Sequence, residues 1–121
     1  MEKVIKVGNQ DVTFKATAAT PRVYRQAFGR DIYLDLSKVA SEVSEGNEND
    51  SNLAPDTLAI FENLAFCMAM QAEGKKMNRD TIEDDMTEWL DSFDTFSIYR
   101  IIPGLMSLWR LSSETTVQPK N

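Results

Sequence analysis

Histidine is absent from this 121-residue chain, and cysteine occurs once, as Cys67. Without imidazole the chain lacks the commonest general base and metal ligand, and every Ser/His or Cys/His nucleophilic arrangement is excluded. One cysteine cannot close an internal disulfide or build a metal cluster by itself, and Cys67, set among Phe66, Met68 and Met70, reads as a buried thiol. The five glycines, Gly8, Gly29, Gly46, Gly74 and Gly104, are scattered singly, so neither a phosphate loop nor a dinucleotide fingerprint can be drawn through them. No nucleophile elbow or paired-cysteine spacing occurs. The longest apolar run, Leu64 to Met70, is far below the ~20 residues that span a bilayer. The opening MEKVIKV has no apolar stretch of signal-peptide length, which predicts a protein that stays in the cytoplasm where it is made.

The apolar fraction is 42%, sufficient for one domain with a real core at this length. Formal charge is −6, unevenly spread: residues 1–38 carry seven basic and four acidic side chains, and the remainder is strongly acidic. An acidic majority argues against nucleic acid, whose phosphates require clustered Lys and Arg. It favours solubility and a basic partner.

The central element is Asp56 to Glu73, in which nearly every position except Glu62, Asn63 and Gln71 is apolar. Leu58, Phe61, Ala65, Met68 and Ala72 recur at helical spacing, with Ile60, Leu64 and Cys67 beside them and Ala59, Phe66 and Met70 behind. A helix apolar almost all round needs partners on several sides. Pro55 suits its first turn and Gly74 its stop.

Lys3–Val7 and Val12–Ala16 are β-rich runs separated by Gly8-Asn9-Gln10-Asp11, which predicts a hairpin pairing Val7 with Val12 and Ile5 with Phe14. Ile5, Val7, Val12, Phe14 and Ala16 then share an apolar face, opposite Val4, Lys6, Thr13 and Lys15. Thr20 as N-cap and Pro21 open a short helix with a Val23, Tyr24, Ala27, Phe28 stripe that ends at Gly29. Asp31 caps a second helix with Ile32, Leu36, Val39, Ala40 and Val43 inward and Asp35, Lys38 and Glu42 outward. Residues 44–54 read as a mobile polar loop. Asn78 or Asp80 caps a helix with an Ile82, Met86, Trp89, Leu90, Phe93 stripe and an acidic opposite face of Glu83, Asp84, Asp85, Glu88 and Asp91. That face lacks the alternating oxygens and central glycine of a metal loop, so no metal site is assigned. A last helix starts at Asp94, is kinked or broken near Pro103, and gives way to a disordered tail over 112–121. The fold class is mainly α (α+β): five helices around the central one, with an N-terminal two-stranded hairpin, as a single domain over 1–111.

The carboxylates lie on predicted solvent faces, where their pKa values stay near normal and leave them weak general acids. No enzyme activity, catalytic residue or cofactor is therefore assigned. What remains is binding: six methionines and the aromatic rings supply more large apolar surface than a small helical core hides. Phe93, Phe96, Tyr99, Met106 and Trp109 are the candidate partner contacts.

The order of elements carries a resemblance. The hairpin, TPRVYRQAFGRDIYLDL, the polar loop, the apolar helix after Pro55, TIEDDMTEWLDSFD and the closing IYRIIPGLMSLWR are together similar to the tail assembly chaperones of long, non-contractile-tailed bacteriophages, over roughly Val12 to Arg110. The resemblance implies a small helical protein of the infected host's cytoplasm that coats and solubilises the tape-measure protein. It would then help recruit tail-tube subunits, and be absent from the finished virion. Neither nucleic acid nor membrane is a partner in this reading, whereas self-association is compatible with it. It also implies a longer form made by a −1 ribosomal frameshift; Pro119-Lys120-Asn121 can be encoded CCA AAA AAC, which contains a slippery heptamer. A proline codon not ending in A would remove that idea. The rival from another class is a structural virion component, a connector or minor tail protein whose hairpin augments a neighbour's sheet.

Overall fold

The computed structural model describes residues 1–44, 54–96 and 98–116, with side chains over 1–42, 54–96 and 100–109. In chain order the elements are β1 (Glu2–Val7), β2 (Gln10–Lys15), α1 (Thr20–Phe28), α2 (Ile32–Ser44), α3 (Pro55–Glu73), a single 3-10 turn (Arg79–Thr81), α4 (Ile82–Asp91) and α5 (Ile98–Thr116). The protein is mainly α with an N-terminal antiparallel hairpin. The expected mobile loop and the far end of the expected tail, 45–53 and 117–121, lie outside the described residues.

α3 takes the position its all-round apolar surface requires. Ile60, Phe61, Leu64, Ala65, Phe66, Cys67, Met68, Ala69 and Met70 are all buried, leaving Glu62 and Asn63 half-exposed. β2, α1, α2 and α5 pack on α3 from different sides, and β1 lies across α5. Burying each large aliphatic chain of this core contributes about 1.5–3 kcal/mol. Pro55 sits at the first turn, and Gly74 closes the helix at φ 70° with its N–H on the carbonyls of Gln71 and Met70.

The hairpin keeps the expected faces with a different register. Ile5 pairs with Val12, Lys3 with Phe14 and Val7 with Gln10, so the connection is the two residues Gly8-Asn9 rather than four. A slip of two residues leaves every side chain on the same face, and periodicity therefore cannot detect it. The two-residue Gly8-Asn9 turn sets the observed register, and contacts with Asp94 accompany it. Gly8 has φ 60°, a side chain there would meet the Asp94 carboxylate, and Asn9 donates to that carboxylate through its backbone N–H and, at 2.7 Å, its side-chain amide.

Further expectations are corrected. Thr20 does not cap α1; its hydroxyl donates to the Gln71 side chain and accepts from the Thr17 N–H, tying α1 to α3. Ala40 is exposed, whereas Asp35, assigned to the outer face of α2, is 5% exposed. Asp94 does not start the last helix, which begins at Ile98 and runs uninterrupted through Pro103. Pro103 lacks the donor that would reach the Tyr99 carbonyl, but the helix on both sides is held by Ile101, Ile102, Leu105 and Leu108, all buried. The helix also continues to Thr116, past the expected end of the helical domain at residue 111. By contrast Asp31 caps α2 as expected, accepting from the N–H groups of Tyr33 and Leu34.

Candidate apolar binding surfaces

α4 reaches α3 through rings. Trp89 stands edge-on to buried Phe66 with centroids 5.5 Å apart, while Glu83, Asp84, Glu88 and Asp91 of α4 are exposed. Asn78 accepts from the Asp80 N–H and starts the turn that leads into α4; Ile82 and Met86 then anchor its apolar stripe. Beyond the end of α4, Phe93 and Phe96 return to Trp89, at 5.1 and 5.6 Å, and lie 6.0 Å from each other. Trp89, Phe93 and Phe96 are each partly buried and packed against the core. Such edge-to-face packing adds about 0.5–1.5 kcal/mol per pair beyond area burial.

The cluster borders an open groove of about 410 Å³ between α3 and α4. Phe66, Met70, Met77 and Trp89 supply its apolar lining, while Glu73, Asp85 and Glu88, with Lys75 and Lys76, form the rim. Lys75 pairs with Glu73 at 3.1 Å and Asp85 accepts from the Thr81 hydroxyl at 2.7 Å, and the rim carries three carboxylates against two lysines.

Trp109 belongs to a second surface. It meets Tyr33 of α2 at 5.8 Å, edge-on, and Tyr33 and its neighbour Leu34 are 57% and 71% exposed. Met106, one helical turn before Trp109, is half-buried. The candidate contacts thus divide in two: Phe93 and Phe96 with Trp89, and Trp109 with Tyr33. The side chain of Tyr99 lies outside the described residues. Tyr33 and Leu34 were legible in principle, because three consecutive apolar residues, Ile32-Tyr33-Leu34, cannot share one face of a helix.

The polar groups inside the protein have structural partners. The Tyr24 hydroxyl donates to Asp35 at 2.6 Å, and the Arg30 guanidinium grips the same carboxylate at 2.8 and 2.7 Å. Burial pushes the Asp35 carboxyl up, but the bonds from Arg30 and Tyr24 outweigh it and hold it below the usual carboxylate range. Burial, reinforced by that carboxylate, pushes the Tyr24 hydroxyl well up. Glu42 accepts from the Ala54 N–H at 3.2 Å and the Thr57 hydroxyl at 2.6 Å, closing the start of α3 with a side chain from α2. Cys67 is fully buried and burial pushes its thiol up to about 12, far from thiolate reactivity at neutral pH. Among the described residues, no three acidic or thiol side chains cluster in a metal-binding arrangement, and no helix is long and apolar enough to cross a membrane. No protein-family model, curated protein or solved structure matches this chain.

Proposed function

We propose that this protein is a non-enzymatic tail assembly chaperone that binds and solubilises the tape-measure protein in the host cytoplasm and helps recruit tail-tube subunits. The observation that carries the reading is the partly buried Trp89, Phe93 and Phe96 cluster beside an open groove lined by methionine and aromatic side chains and rimmed by three acids and two lysines. Such a groove suits the apolar stripe of an amphipathic helix. Methionines repack around unlike side chains, which suits a long client offering many similar but non-identical segments. Glu73, Asp85 and Glu88 favour basic residues flanking that stripe, and Tyr33, Leu34, Met106 and Trp109 offer a second contact surface.

The mechanism is mass action. Client stripes that would otherwise self-associate are covered by many copies at modest affinity, and polymerising tube subunits displace them as their own contacts accumulate.

Co-expression tests it. The tape-measure protein should be soluble with the wild-type chain and aggregate without it; W89A or the double variant F93A/F96A should shift it back to the insoluble fraction. Client solubility that does not depend on the chaperone would overturn the reading. Mass spectrometry of purified particles separates it from the structural alternative, since a chaperone is absent and a connector is present at fixed stoichiometry.

A further inference from the structure

The hairpin is a two-stranded sheet among the described residues, so each strand has one edge without a ladder partner. The amino group of Met1 donates to the Ala16 carbonyl at 3.0 Å and the Ala16 N–H donates to the Met1 carbonyl at 2.9 Å. Met1 and Ala16 are therefore a hydrogen-bonded pair. Alternation along an antiparallel ladder makes Lys3–Phe14, Ile5–Val12 and Val7–Gln10 bonded pairs too. The N–H and C=O groups of Glu2, Val4 and Lys6 consequently point outward from β1. All three side chains are exposed, and Val4 at 61% is an apolar residue in the middle of a charged strand.

We propose that the β1 edge is a self-association surface, at which a second copy of this chain adds its own β1 antiparallel and centred on Val4. In that register Val4 faces Val4 of the second copy, and Glu2 faces Lys6 in both directions. Cross-strand pairs extend the pattern, because Glu2 already lies opposite Lys15 and Lys6 opposite Asp11, with the latter charges 3.9 Å apart. Across the resulting four-stranded sheet each outer row reads Lys15, Glu2, Lys6, Asp11, which is strict alternation of sign. The middle row is Thr13, Val4, Val4, Thr13. A parallel arrangement would instead set Glu2 against Glu2 and Lys6 against Lys6, so charge selects the antiparallel, two-fold form. The lysines that ordinarily protect an edge strand here discriminate the partner rather than exclude it. The β2 edge is less open: Gln10 is bonded to the Ser92 carbonyl at 2.7 Å, and the end of α4 stands beside it with Trp89 and Phe93.

The inference does not depend on the client reading, and its test contains no client. Sedimentation of the full chain over the micromolar to millimolar range should show a monomer–dimer equilibrium. E2K and K6E, which each set like charges opposite one another at two symmetric places, should raise the dissociation constant about tenfold or more. An equimolar mixture of the two variants should restore dimerisation, because the positions are then complementary in both directions. V4P removes one outward N–H and none of the hairpin's own bonds, so it should abolish the dimer while leaving the far-ultraviolet dichroism of the fold. A chain that stays monomeric throughout, a dimer unmoved by all three substitutions, or a mixture no tighter than either variant by itself would overturn the proposal.

Discussion

A side chain on Gly104 would sit 2.5 Å from the Cδ1 of Ile5: the hairpin touches α5 at the one position of that helix where no Cβ intervenes. This close approach is part of the contact between β1 and α5. Overpacking of this kind costs about 1–3 kcal/mol, against about 1 kcal/mol that alanine gains over glycine inside a helix. G104A should therefore be destabilising by a small net amount. I5V removes the clashing methyl, and a double-mutant cycle should return a favourable coupling of about 1 kcal/mol between the two changes. Denaturant unfolding of the four chains measures it, and strictly additive effects would contradict the contact.

Asp35 joins α1, α2 and the turn between them through one carboxylate that is 5% exposed. D35A leaves Tyr24 and Arg30 without their acceptor and should destabilise by about 3 kcal/mol, whereas Y24F removes one bond to a charged acceptor and should cost about 1.5–2 kcal/mol. The lowered pKa of Asp35 also sets a pH dependence. Because the folded value lies below the unfolded one, this stabilisation is fully present above the unfolded pKa of about 4 and is lost as pH falls through the folded value. The acid-side decline in melting temperature should be shallower in D35N than in the wild type.

Glu62 shifts the other way. Burial, with Glu83 nearby, raises its pKa, so its charged form is disfavoured in the folded state. Stability contributed by the protonated carboxyl is present below its unfolded pKa and is lost as pH rises through the folded one. E62Q should raise the melting temperature at pH about 7 and leave it nearly unchanged at pH about 3. Equal shifts at both pH values would argue against the charge effect.

Glu42 caps α3 from outside the helix, with Ala54 and Thr57 as its donors. E42A should lower stability by about 1–2 kcal/mol, comparable to the loss of an N-cap. Because α3 is the core helix, hydrogen exchange at its first turn should accelerate more than at Met68. Uniform acceleration along α3 would indicate that Glu42 supports the whole fold rather than that end.

The patterns that could be read directly were those with a local physical cause. Pro55 and Gly74 bound α3 because φ restriction and left-handed closure are properties of single residues. The apolar face of the hairpin followed from two-residue alternation, and the Ile82, Met86, Trp89 stripe from helical spacing. Asp31 capped α2 because its acceptor reaches only its own next residues.

What escaped depended on partners distant in the chain. Asp35 looked like one more outward acid of α2, until Tyr24 and Arg30 supplied donors that only the α1–α2 packing brings near. The hairpin register escaped because a two-residue slip leaves both faces unchanged, and Pro103 was tolerated because α5 is clamped by burial on both sides of it. The candidate surfaces divide in the same way. Composition predicted more Phe, Trp and Met than a small core hides, but among the described residues all of them except Met1 are buried or packed against the core, and the large apolar side chains left exposed are Met1, Val4, Tyr33 and Leu34. The sequence by itself determined the number and order of the elements and most of their apolar faces, because these follow from backbone restriction and periodicity. Only the tertiary structure decided which acids are buried, which register the strands take and which apolar side chains stay open, because those depend on neighbours that folding brings together.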